Sequence, residues 1–218
     1  AMSGFEQART TMVDTQVRPS DVPRYPIIAA MLGVPRENYV PSDARAVAYA
    51  DSEIEIARGR LMPAPRTVAK MLDTLELNGS ELVLLIGSGT GYSAALLSRL
   101  ADAVIAVEED EDLARSSAQQ LSDDGADTVL VEHRPLTEGA PEHGPYDVIF
   151  VEGGVAELPQ GLTDQLRQDG KIGMLRCDGP LSYAEFGVKG TNDISTRRLF
   201  DATARILPVF SRDQTFIF

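Results

Sequence analysis

One stretch, Glu81 to Leu100, constrains this chain more than any other. Leu82–Ile86 is an unbroken apolar run, short enough to be a strand buried on both faces. Gly87, Gly89 and Gly91 follow at once, alternating with Ser88 and Thr90. Tyr92 to Leu100 then reads as a helix, with Ala95, Leu96 and Leu100 able to face a core. Strand, glycine turn and helix together open a βαβ unit. Glycine lets the backbone turn sharply and approach a ligand with no Cβ in the way. The helix start leaves N–H groups free to meet that ligand.

Three motifs compete for the turn. A dinucleotide fingerprint places its third glycine at Tyr92, so its spacing fails. A P-loop needs Gly-Lys-Ser/Thr, and no lysine is near. The G-x-G-x-G pattern resembles the first motif of S-adenosylmethionine-dependent methyltransferases. That resemblance implies an acid at the end of the next strand, accepting hydrogen bonds from ribose hydroxyls. Ala103–Val107 is that strand and Glu108 ends it, about 20 residues past the first glycine, the spacing dinucleotide folds also use. The alternative is a tight turn whose glycines serve packing alone.

The remaining pattern alternates. Helices are expected over residues 1–18, with Phe5, Met12 and Val13 as core contacts and Pro19 as the stop, and from an Asp21 cap to Gly33. Val34–Pro41 reads as an extended connector, Tyr49–Ile56 as a short strand, and Pro63 to Leu77 as a helix ended by Asn78-Gly79. Beyond the glycine turn come a helix at Glu111–Leu121, strands at Thr128–Val131 and Asp147–Val151, a helix at Pro159–Leu166 and a strand at Lys171–Arg176. Tyr183–Val188 and Ile194–Phe200 flank a hairpin signal, and Thr215–Phe218 reads as a last strand. The fold class expected is α/β: a doubly wound, mostly parallel, Rossmann-like sheet with antiparallel C-terminal strands. Residues 1–75 would form a helical cap and 76–218 the ligand-binding domain, the two together as one compact unit.

Charge and composition narrow the partners. A net charge of −13 argues against nucleic acid, whose phosphates need a basic face. No apolar run reaches membrane-span length and no signal-peptide pattern opens the chain. The lone Cys177 has no partner for an internal disulfide, which fits a reducing, cytoplasmic setting.

Several short motifs resemble a known family when taken as a set. Met12-Val-Asp-Thr-Gln-Val-Arg18, Val34-Pro-Arg36, Tyr39-Val-Pro41, Pro145 to Val151, Ala156 to Gln160, Leu162, Asp164 to Leu166 and Asp169-Gly170 are similar in order and spacing to protein-L-isoaspartate O-methyltransferases. The resemblance implies a cofactor, S-adenosylmethionine, and methylation of a carboxylate: an isoaspartyl residue of a damaged protein, or a small acid. It places the cofactor on Gly87, Ser88, Gly89, Gly91, Tyr92, Glu108, Glu109, Pro135, Leu136 and Glu152. It also marks departures. Pro63 stands where the family has a Ser or Thr hydroxyl, and Leu85 where it has an acid. Arg134-Pro135-Leu136 aligns with a Gly-Asp-Gly, and Glu152 with a threonine. These departures leave open a divergent binding protein without isoaspartyl repair.

Of the acids at 108–112, Glu108 alone takes the ribose role, the others reading as a solvated helix start. Glu152 ends a buried strand at the same rim, where it could meet the methionine ammonium, a substrate, or only water. Arg58, Arg60 and Arg66 surround Pro63 and Pro65; a fork-like grip on an anionic substrate competes with a plain surface role. His133 and His143, the two histidines, assemble no metal cluster or nucleophilic triad, and Cys177 reads as a small buried hydrophobe. No catalytic residue is assigned: a carboxylate is already nucleophilic at neutral pH, so the enzyme chiefly aligns and desolvates it.

Overall fold

Residues 3–212 are described by the computed structural model. Ser3 and Glu6 form a reciprocal capping box at 3.2 and 3.0 Å that starts α1 (Gly4–Met12). The helical path does not stop there. A π turn (Val13–Val17) and a 3-10 turn (Arg18–Ser20) carry it through Pro19, whose fixed φ is compatible with a helical turn. Met12, Val13 and Val17 are buried, whereas Phe5 is 39% exposed and lies outside the core. Asp21 is left-handed at φ 59° rather than a helix cap, and α2 (Tyr25–Gly33) starts after Arg24 with Pro26 in its first turn.

The extended connector expected after α2 contains a 3-10 turn (Arg36–Tyr39). Arg36 is drawn inward and fully buried. Its Nε donates to the Ala48 carbonyl at 2.6 Å, its Nη2 to the Pro63 carbonyl at 3.1 Å, and the guanidinium lies 4.7 Å from the Tyr92 ring centroid. One side chain thereby ties the cap to the segment that precedes the sheet.

That segment begins with β1 (Ile54–Ala57), which turns at Gly59 and pairs antiparallel with β2 (Arg60–Met62), a partner the alternation in the sequence did not announce. The hairpin stands apart from the main sheet. After it come α3 (Pro65–Leu75), β3 (Leu82–Ile86), α4 (Tyr92–Ser98), β4 (Ala103–Glu108), α5 (Glu111–Asp123), β5 (Val129–His133), β6 (Tyr146–Val155), α6 (Gln160–Thr163), β7 (Leu166–Asp178), β8 (Leu181–Lys189) and β9 (Ile194–Asp201). The strand order is β5-β4-β3-β6-β7-β8-β9, parallel from β5 to β7 and antiparallel beyond. This is the doubly wound, mostly parallel sheet with antiparallel C-terminal strands that the pattern predicts. The strand expected at Thr215–Phe218 lies outside the described residues.

Both faces of the sheet are covered. Val83 and Leu85 of β3 share one buried cluster with Met12, Ile28, Met31, Tyr39, Leu72 and Leu96, so cap and sheet have a common core. Leu84 and Ile86, pointing the other way, pack with Val107, Ile149, Leu162 and Phe210. No helix among the described residues is long and apolar enough to cross a membrane.

Candidate cofactor site

The carboxyl ends of β3, β4 and β6 meet at one rim, where open α/β sheets place their ligands. Gly87, Gly89 and Gly91 all have positive φ, at 75°, 58° and 96°. A Cβ on each would meet something different. At Gly87 it would lie 3.0 Å from the Glu152 carbonyl oxygen, and at Gly91 it would lie 3.2–3.3 Å from Leu121 and Ser117 of α5. These two glycines serve internal packing. At Gly89 it would meet side chains alone, the nearest being Ile56 of the hairpin at 2.6 Å, so the hairpin covers this face of the turn. The Val107 carbonyl accepts from the Gly87 and Ser88 N–H groups at 2.9 and 3.3 Å, holding the turn to β4. The Ser88 hydroxyl is buried with no hydrogen-bond partner.

Glu108 is fully buried at the end of β4. Its two oxygens accept from the Gly89 N–H at 2.8 Å and the Asp110 N–H at 2.9 Å. Each also accepts from Arg60: Nη2 to Oε1 at 2.6 Å and Nη1 to Oε2 at 3.0 Å. Arg60 is therefore no surface arginine; it forms a fork-to-fork pair across the glycine turn, the strongest geometry available to this pair of groups. Burial alone would lower the guanidinium pKa, but the Glu108 hydrogen bonds and charge raise it overall. Arg58 is exposed, and Arg66 pairs with Asp51.

Glu152 reaches the same place from β6. Between Phe150 and Gly154 the pairing with β7 slips, because four steps on β6 oppose two on β7. Such a bulge re-aims a side chain at a sheet rim. It turns Glu152 inward, buried, accepting a hydrogen bond from the Ser93 hydroxyl. Its Oε2 lies 4.0 Å from the position a Cβ would take on Gly89. Burial pushes the carboxyl up to about 7, against the opposing pull of Ser93, Arg60 and Arg36. Glu152 is thus not a rim carboxylate left to water.

The other predicted residues scatter around this centre. The Tyr92 ring turns away into the cap, stacked 6.0 Å from Tyr39. Glu109 offers its carbonyl to His133 Nε2 at 3.0 Å. Pro135 is exposed, and Leu136 is fully buried in the second core cluster, so its side chain serves packing. Cys177 is half-buried, and burial raises its thiol pKa. His143 gathers with Glu132 and Glu142, a grouping the sequence did not suggest. Arg134 already pairs with both acids and supplies the cation there. Arg36 and Ser93 were not picked out as site residues. Arg36 carries a signal, its place in Val34-Pro-Arg36; a lone serine inside a helix carries none.

The donor set fits an S-adenosylmethionine-type cofactor: a Gly89 face that only side chains approach, an orphaned Ser88 hydroxyl, and a buried acid at the strand end. What fills the cradle is Arg60 and Ile56, both from the hairpin. The crevice left beside Arg60, Pro63, Glu152, Gly153 and Leu207 measures about 10 Å³, where ligand pockets usually need some hundreds.

Fold and rim together define a Rossmann-like methyltransferase. Comparison is more specific. The protein-L-isoaspartate(D-aspartate) O-methyltransferase (PCMT) family profile matches residues 9–175. Protein-L-isoaspartate O-methyltransferase 2 of Pelobacter propionicus is 40% identical over 167 residues, 77% of this chain and 74% of that protein. The Methanoculleus marisnigri protein-L-isoaspartate O-methyltransferase is 37% identical over 164 residues, 75% of this chain and 74% of its own. A Plasmodium falciparum structure in complex with S-adenosyl-L-homocysteine superposes with a TM-score of 0.78 at 23% identity, covering 94% of this chain and 99% of that one. A further structure of a protein-L-isoaspartate O-methyltransferase gives 0.76 at 24% identity, covering 93% of this chain and 65% of that one. The chain belongs to the protein-L-isoaspartate O-methyltransferase family.

Proposed function

We propose that this protein is an S-adenosylmethionine-dependent O-methyltransferase acting on a carboxylate, with L-isoaspartyl residues of proteins as the acceptor. The observation that carries the reading is the buried Glu108 accepting from the Gly89 N–H at the glycine turn, in a chain of this family. Glu108 would accept from the ribose hydroxyls, the Gly89 face would let the backbone approach the cofactor, and Glu152 would stand near its cationic end. When bound, the cofactor supplies a methyl group on a sulfonium, open to in-line attack by a carboxylate oxygen. The chain's own residues need not remove a proton, because the acceptor is already ionised at neutral pH. Their work is to align it and strip its water.

The test is calorimetric titration of S-adenosylmethionine into the wild type and Gly89→Val, followed by methyl-ester formation on an isoaspartyl peptide. Binding by the wild type, its loss in a folded Gly89→Val, and ester formation support the reading. Failure of S-adenosylmethionine to bind either the folded wild type or a folded variant in which Arg60 no longer holds Glu108 overturns it, and unimpaired binding by Gly89→Val moves the cofactor elsewhere.

A further inference from the structure

We propose that Arg60 is a built-in occupant of the cofactor's ribose position: the β1–β2 hairpin closes on the glycine turn as a latch, and the cofactor binds only after Arg60 leaves Glu108. The inference rests on the functional reading above and concerns how that site is controlled.

Four observations point the same way. Both Glu108 oxygens that a ribose would use are taken by the Arg60 fork. Ile56, from the other strand of the same hairpin, covers the face of Gly89, where an added Cβ would meet its side chain at 2.6 Å and no backbone atom. The hairpin belongs to a separate two-stranded sheet, so moving it breaks no hydrogen bond of the main sheet. Finally, the crevice that remains is far too small for a nucleoside. The larger cavities, about 610 and 660 Å³, are lined by none of the turn's glycines.

The exchange has a chemical logic. Ribose hydroxyls are neutral donors, so they replace a buried charged fork with weaker bonds. Glu108 itself remains supported, because the Gly89 and Asp110 N–H groups stay on it when Arg60 departs. A cofactor that binds the open form alone loses apparent affinity in proportion to the closed population. The latch therefore weakens binding, and its removal strengthens it.

The experiment compares wild type, Arg60→Ala and Arg60→Lys, with circular dichroism confirming the fold. S-adenosylmethionine affinity is measured by calorimetry, and hydrogen–deuterium exchange of residues 54–62 is followed without ligand. Expected are binding at least about tenfold tighter in Arg60→Ala, a smaller gain in Arg60→Lys, and faster hairpin exchange in both. Unchanged or weaker binding in a folded Arg60→Ala overturns the proposal. So does hairpin exchange that does not change. If no variant binds S-adenosylmethionine although the hairpin opens in Arg60→Ala, the cofactor reading falls, and the competition with it, while the Arg60–Glu108 closure stands. Should Arg60→Ala fail to fold, Arg60→Lys and Ile56→Ala decide by the same two measurements.

Discussion

The Ser93 hydroxyl donates to the Glu152 carboxyl, joining the first turn of α4 to a bulge 59 residues later in β6. Two elements that flank the glycine turn are thus locked together by a neutral donor on an acid that burial has made reluctant to ionise. The pairing turns pH into a variable of the site.

Glu152 titrates near 7 when folded and near 4.5 when unfolded. The native state holds the proton more tightly, so this stabilisation is complete below about pH 4.5 and is lost as the pH rises through 7. Arg36 and Arg60 pull the same carboxyl down and Glu108 pushes it up, with burial the larger effect. Relative to Glu152→Gln, the wild type should lose on the order of 3 kcal/mol of unfolding free energy between pH 4.5 and 8. Denaturant unfolding at several pH values checks this. Parallel pH curves for the two proteins would show that Glu152 is not a buried, proton-holding acid.

Arg36→Met should be costly although it replaces a charge with an apolar chain of similar length. It removes the donors to the Ala48 and Pro63 carbonyls, leaving both unpaired in the interior. The expected loss is about 3 kcal/mol, or a fall in melting temperature of roughly 6–12 °C at this chain length. A melting point within about 2 °C of wild type would mean that water replaces the guanidinium without penalty.

Pro63→Ser should raise turnover of an isoaspartyl peptide. The side chain at 63 lines the crevice beside Arg60 and Glu152, at the place where the family resemblance puts a hydroxyl. The Pro63 carbonyl, which Arg36 holds, is kept in the variant. One positioning hydrogen bond is worth about 1.4 kcal/mol, or close to tenfold in kcat. Measured methyl-ester formation that stays at the wild-type rate would place the acceptor away from position 63.

The sheet was legible because strands buried on both faces read as apolar runs, and β3, β4 and β6 are such runs. Glu108 was legible for the same reason: an acid ending an apolar run stands out. What failed was anything fixed by contacts distant in sequence. β2 is three residues long, too short for any periodicity to register. β7 begins at Leu166, earlier than the Lys171 start expected, because Asp169 takes a left-handed φ of 65° and the strand runs on past it. Arg60 looked like a surface residue because its partner lies 48 positions away, beyond any local pattern. The three glycines were recognised as a turn, but only the packing around them separates Gly89 from the other two.

The common core of cap and sheet bears on how the chain comes apart. Met12, Met31 and Tyr39 are buried against Leu72, Leu85 and Leu96 in a single cluster, and the Arg36 guanidinium crosses the boundary to lie 4.7 Å from the Tyr92 ring centroid. Stripping away the N-terminal third would bare that whole apolar face to water, so the cap has no cheap way to melt first. Heat should find one cooperative unit rather than two, and a fragment beginning at the glycine turn should be a sticky, half-finished sheet instead of a smaller enzyme.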